Sequence, residues 1–145
     1  MIERTDDCFD GLIDHGAQPY VENMLKATMN NDCFRTTLWT GEHLQTTIMK
    51  IESGDDIGLE VHAEVDQFIM IICGVGVVTF GESRDVITKK MPVKTGFGIF
   101  IPAGTWHNVI NCGVGALKLF SVYAPPEHLH GTVHPTKAIA KKEEG

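Results

Sequence analysis

The segment from Gly96 to Asn111 constrains the fold more than any other part of the chain. Gly98–Ile101 and Thr105–Asn111 are short runs rich in β-branched and aromatic residues. Pro102-Ala103-Gly104 between them is turn chemistry that interrupts any helix. Runs of the same kind recur at Phe34–Trp39, Leu44–Ile51, Gly58–His62, Gln67–Cys73, Val77–Phe80, Val86–Lys89 and Ala116–Tyr123. Gly, Asp, Asn or Pro punctuate most of the gaps, as in Thr40-Gly41-Glu42 and Ser53-Gly54-Asp55-Asp56. Short strands with turn signals about every 8–12 residues predict an all-β sandwich or barrel. No segment past Asn30 sustains a helical period.

Side chains alternate between the two faces of a strand. Glu60 and His62 therefore share one face, with Leu59 and Val61 on the other. Gln67 is in phase with Ile69, Ile71 and Cys73, and His107 with Val109 and Asn111. Polar, metal-competent side chains thus stand in line with apolar ones on three separate strands.

The spacing G-x5-P-x-G-x2-H-x3-N, carried by Gly96, Pro102, Gly104, His107 and Asn111, matches the second signature of the cupin family at each fixed position. Gly58 to His62, followed by Gln67 and Gly74, occupies the frame of the first signature, which usually reads G-x5-H-x-H-x3,4-E-x6-G. The chain therefore resembles a small single-domain cupin. The resemblance implies a double-stranded β-helix, a jelly-roll barrel, over residues 31–124. Residues 1–30 would form an N-terminal arm with an edge strand near Tyr20–Met24, followed by a helical turn at Leu25–Asn30. Residues 125–145 would be a tail that leaves the barrel and lies on its surface or is disordered. Two barrels would pack through an outer sheet as a homodimer.

The resemblance also implies a ligand set with departures from the usual pattern. Counting back from Gly74 puts Gln67 at the usual glutamate, His62 at the second histidine and Glu60 at the first. The set carried over is Glu60, His62, Gln67 and His107, around one divalent transition metal: zinc, iron or manganese. One carboxylate, two neutral imidazoles and an amide leave such an ion with the same net charge as three histidines and a glutamate. Gln67 either ligates directly, orients a water, or hydrogen-bonds Glu60. The set resembles the zinc site of phosphomannose isomerases, and it also contains the two-histidine, one-carboxylate triad of non-heme iron enzymes.

The expected activity is metal-assisted isomerisation or enolisation of a small oxygen-rich, sugar-like or hydroxycarbonyl substrate. Glu60 would supply charge, and a detachable Gln67 would aid proton transfer. The alternatives are an iron- or manganese-dependent dioxygenase and a non-catalytic small-ligand binder. Arg35, Lys50 and Lys118 are cations on the barrel strands, and their facing is open.

At 145 residues, with 43% hydrophobic and 21% charged residues, the chain can build one domain with its own core. A net charge of -7 argues against nucleic acid and against anionic membranes. The run from Phe68 to Phe80 is shorter than the roughly 20 residues a membrane helix needs. The acidic start, Met1 to Asp7, has no apolar leader segment, so a cytoplasmic location is expected. Cys8, Cys33, Cys73 and Cys112 form no C-x-x-C pair and read as free thiols, with Cys73 and Cys112 as small buried hydrophobes. Trp106, Phe97 and Phe100 read as core, and Asn111 as a backbone-bonding residue at a strand end. His128, His130 and His134 raise the question of a second metal site, against the simpler reading of exposed histidines on a loose tail.

Overall fold

The computed structural model describes residues 13–144. Its elements are a short helix α1 (Met24–Asn30) and strands β1 (Arg35–Thr40), β2 (Gln45–Ile51), β3 (Asp66–Cys73), β4 (Val75–Ser83), β5 (Val86–Lys94), β6 (Gly98–Ile101), β7 (Trp106–Asn111), β8 (Leu117–Ala124) and β9 (Val133–His134). A closing helix, α2, spans Lys137–Glu144. The strands form two antiparallel sheets, one ordered β6-β3-β8-β2-β1-β9 and the other β5-β4-β7. Met49, Ile51, Ile69, Ile71, Leu117 and Leu119 from the first sheet pack with Val78, Val93 and Val109 from the second in one core. The all-β jelly-roll expectation is met.

Register sorts the inner faces lengthwise. The inward residues of β2 run Gln45, Thr47, Met49, Ile51, and those of β8 run Tyr123, Ser121, Leu119, Leu117 in matching register. On β3 the inward series is Gln67, Ile69, Ile71, with Gln67 opposite Tyr123. One end of the sandwich interior is therefore apolar and the other polar. The polar end is where a site can exist, because buried polar groups need partners.

Several expectations change. Tyr20–Met24 is not a strand: Asn23 caps α1, its Oδ1 accepting the Lys26 N–H at 3.1 Å, and the helix begins at Met24. An Asn ahead of a helix-forming run is a stronger signal than the β-propensity of Tyr20 and Val21. Gly58–His62 pairs with the second sheet only at Glu60, opposite His107. Phe97 and Phe100 are exposed rather than core, Phe100 at 75%. Cys73 is half-buried, Cys112 is exposed, and both are free. Cys33 is disulfide-bonded rather than free. Residues 1–12, including Cys8 and the expected acidic arm, lie outside the described residues.

The tail is ordered and does more than lie on the barrel surface. β9 adds to the edge of β1, with His134 opposite Arg35, and Ala140 of α2 is buried against the core. Lys137 Nζ at the start of α2 donates to Asp55 Oδ1 at 2.8 Å and also to Asp56. Further along the helix, Lys141 lies over Gly58, where a Cβ would collide with its amino group and where φ is +110°. The lysine end could move aside, so it is the positive φ that calls for glycine. Among the described residues, no helix is long and apolar enough to cross a membrane.

Candidate metal centre

Glu60 and His107 form a backbone-paired antiparallel couple, each N–H donating to the other's carbonyl at 2.9 Å. Directly opposed residues point to one face, so the Glu60 and His107 side chains enter the interior together. His62 follows two residues on, and its carbonyl accepts from Gly104 N–H at 2.8 Å. That bond ties the first motif to the Pro102-Ala103-Gly104 turn.

One ligand atom each from Glu60, His62 and His107 lie within 4.8 Å of one another, the sole such cluster of His, Cys, Asp and Glu among the described residues. Glu60 Oε1 is 3.5 Å from His62 Nε2 and 3.8 Å from His107 Nε2. Two ligands on one ion with bonds of about 2.0–2.1 Å stand roughly 3–4 Å apart, so the spacing suits a shared cation.

The tautomers suit it as well. His107 Nδ1 lies 2.9 Å from the Thr105 carbonyl, which can only accept. The ring proton is therefore on Nδ1, and Nε2 presents its lone pair inward. His62 Nδ1 faces Glu127 Oε2 at 3.3 Å, an imidazole–carboxylate pairing of the kind that orients metal ligands. His62 Nε2, His107 Nε2 and Gln67 Oε1 are all buried without a hydrogen-bond partner among the described residues. Gln67 donates from Nε2 to Ser121 Oγ at 3.3 Å, so its amide hydrogen bond goes to Ser121 and not to Glu60.

Protonation follows from these contacts. Burial pushes the Glu60 carboxyl up, but the close approach of His62 and the positive charge of Arg35 outweigh it, leaving its pKa below the ordinary value. Burial disfavours charged His62, yet the nearby carboxylates of Glu127 and Glu60 raise its pKa to about 9. Burial holds His107 below its usual value and, with Arg35 nearby, brings His128 down to about 4. A proton on His62 and a divalent ion would thus compete for one electron-rich spot.

A family model for the cupin domain matches residues 47–123. The chain belongs to the cupin family. This cupin is 53% identical over 129 residues to protein YrkC of Bacillus subtilis, covering 89% of the chain and 69% of that protein. It is 34% identical over 123 residues to protein L612 of Acanthamoeba polyphaga mimivirus, covering 84% and 75% respectively. The crystal structure of BH2720 from Bacillus halodurans superposes with a TM-score of 0.89 at 51% identity, over 90% of this chain and 99% of that one.

A cavity of ≈ 370 Å³ opens on the cluster, lined by Glu60, Val61, His62, Glu127, His128 and Glu144. Half of that lining comes from the C-terminal segment, which sequence reasoning had set aside. Gln45, fully buried on β2, fastens it by bonding the backbone of Glu127 and His128. Arg35 was noted only as a cation of open facing; it stands opposite inward Met49 and is 1% exposed. The parity of β1 would have found it once the β1–β2 register was known. His128, His130 and His134 do not form a metal cluster: His128 lines the cavity with its ring edge-on to His134 at 6.3 Å, His134 Nδ1 faces Arg35 at 3.0 Å, and His130 lies apart, its Nε2 on the Gly16 carbonyl at 3.1 Å. Asn111 donates to the Ile51 and Gly115 carbonyls, the backbone role expected of it.

Proposed function

We propose that this cupin is a metal-dependent enzyme acting on a small oxygen-rich molecule, sugar-like or hydroxycarbonyl, by isomerisation or enolisation. One observation carries the reading: three buried polar atoms, His62 Nε2, His107 Nε2 and Gln67 Oε1, have no hydrogen-bond partner among the described residues, beside the partly buried Glu60 carboxylate. Leaving such atoms bare costs about 1–3 kcal/mol each, which a bound cation would recover. A divalent ion supplies Lewis acidity toward substrate oxygens when bound. Glu60 provides the ligand charge, Glu127 orients His62, and Gln67 offers an amide oxygen that can be given up to substrate. His128, kept neutral by burial, lines the same cavity and has an unpartnered Nε2 that can hydrogen-bond a substrate.

Elemental analysis of untagged protein tests the reading. Wild type should carry about one equivalent of zinc, iron or manganese, and Glu60→Ala and His107→Ala should lose it. Wild type that takes up none of the three at pH 8 would overturn it. The Glu60–His62–His107 trio also suits dioxygen chemistry on iron or manganese. Oxygen uptake by the iron- or manganese-loaded protein with substrate would favour that second reading, since isomerisation consumes none.

A further inference from the structure

We propose that Arg35 is the seat for a carboxylate on the substrate, and that Glu144 at the end of α2 occupies this seat until the substrate displaces it. The inference rests on the cavity being the substrate site, and it narrows the substrate class to small carboxylic acids.

A fully buried guanidinium needs anions around it. Arg35 has them in an incomplete form. Its Nη1 donates to Glu144 Oε2 at 3.1 Å and lies 3.0 Å from His134 Nδ1. Its Nη2 is 4.0 Å from Glu60 Oε2, beyond a hydrogen bond, and its Nε is buried with no partner among the described residues. The planar fork matches a carboxylate that takes two parallel N–H bonds. What it holds instead is a single-oxygen contact from Glu144, with part of the fork unfilled.

Glu144 reaches Arg35 from the solvent side of the cavity. It lines the same cavity as Glu60 and His62, yet its side chain is 36% exposed, against 15% for Glu60. Glu60 and Glu127 both contact His62. Glu144 contacts only Arg35 among the salt bridges of the described residues. α2 is held at Lys137 and Ala140 and, in its last turn, by Glu143 Oε1 at 3.1 Å from His134 Nε2. Glu144 follows that anchor as the final residue of the helix, so a rotamer change of its partly exposed side chain uncovers Arg35 while the helix stays in place.

Charge favours the exchange. With a cation at Glu60, His62 and His107, the Glu60 charge is drawn to it, and Arg35 is left to Glu144. A substrate carboxylate would then replace one carboxylate with another at no change in charge. Besides that ion and Arg35, the remaining walls, Val61, Glu127 and His128, add no positive charge, which suits a carboxylate better than a phosphate dianion. The cavity, at ≈ 370 Å³, sits at the small end of ligand sites.

Isothermal titration of manganese-loaded, full-length protein with pyruvate, malonate, inorganic phosphate and glycerol tests the proposal, alongside Glu144→Gln. Pyruvate or malonate should bind in preference to phosphate and glycerol. If Glu144 fills the seat about nine-tenths of the time, Glu144→Gln should tighten the carboxylate Kd about tenfold. Manganese stoichiometry, read in the same cell, should not change. No carboxylate binding, equal binding of glycerol, or an unchanged or weakened Kd in Glu144→Gln would each overturn the proposal. Wild type that takes up no manganese would count against the metal centre. Arg35 would then be judged on metal-free protein, where the difference between variant and wild type must persist.

Discussion

Replacing Gln45 with leucine should loosen the C-terminal segment and the site together. Gln45 is fully buried, and its amide makes four hydrogen bonds. Nε2 donates to the His128 carbonyl at 2.8 Å and to Thr40 Oγ1 at 3.0 Å. Oε1 accepts the backbone N–H groups of Glu127 at 3.1 Å and His128 at 2.9 Å. Leucine has nearly the same bulk but satisfies none of these groups. Three of them are main-chain and cannot rotate to another partner without moving the chain. At about 1 kcal/mol for each bond lost, and more where a group stays buried, Gln45→Leu should cost roughly 3–5 kcal/mol. Swinging the segment outward would relieve part of that cost, but it would carry Glu127 away from His62. Urea unfolding measures the energy, and amide hydrogen exchange at Glu127 and His128 reports the segment. A variant within about 0.5 kcal/mol of wild type, with both amides still protected, would refute the reasoning.

Three further outcomes can be checked. The His62 pKa is raised in the folded state from 6.5 to about 9, so its contribution to stability is full below pH 6.5 and fades as pH rises through about 9. With a chelator present, wild type should lose up to about 3 kcal/mol between pH 6 and pH 9.5, and His62→Asn much less, by urea titration. Equal pH slopes in the two proteins would show that His62 is not the source. Lys137→Met should speed amide exchange along α2 and cost about 1 kcal/mol, because its partners Asp55 and Asp56 are only partly shielded from water; unchanged exchange would count against that anchor. We also propose that a second copy covers the outer face of β3, β6 and β8, where Phe68 packs between Phe100 and Phe120 at ring-centroid distances of 4.8 and 6.4 Å and Phe100 is 75% exposed. Light scattering should show wild type at twice the chain mass and Phe100→Glu at the chain mass; equal masses would remove this interface.

Much of the architecture was legible because strand signals are local. Alternation put Gln67 with Ile69 and Ile71, and His107 with Val109, and each of these pairs does face inward. The turn residues located most strands to within a few positions. The misread parts are those where a local signal has two meanings. Tyr20-Val21 looks like strand until Asn23 caps a helix, and a Pro-bearing tail looks loose until its His134 pairs with Arg35.

By itself, the chain's order of residues determined which side chains share a face, since a two-residue repeat needs no knowledge of the partner strand. It also determined the turn that carries His107. Only the tertiary structure decided that Glu60 lies opposite His107, that Arg35 is inside, and that Glu127, His128 and Glu144 return to wall the cavity. Those facts depend on register and on the docking of distant segments. Both are chosen by burial summed over the whole chain, where a one-residue slip would turn every inward side chain outward.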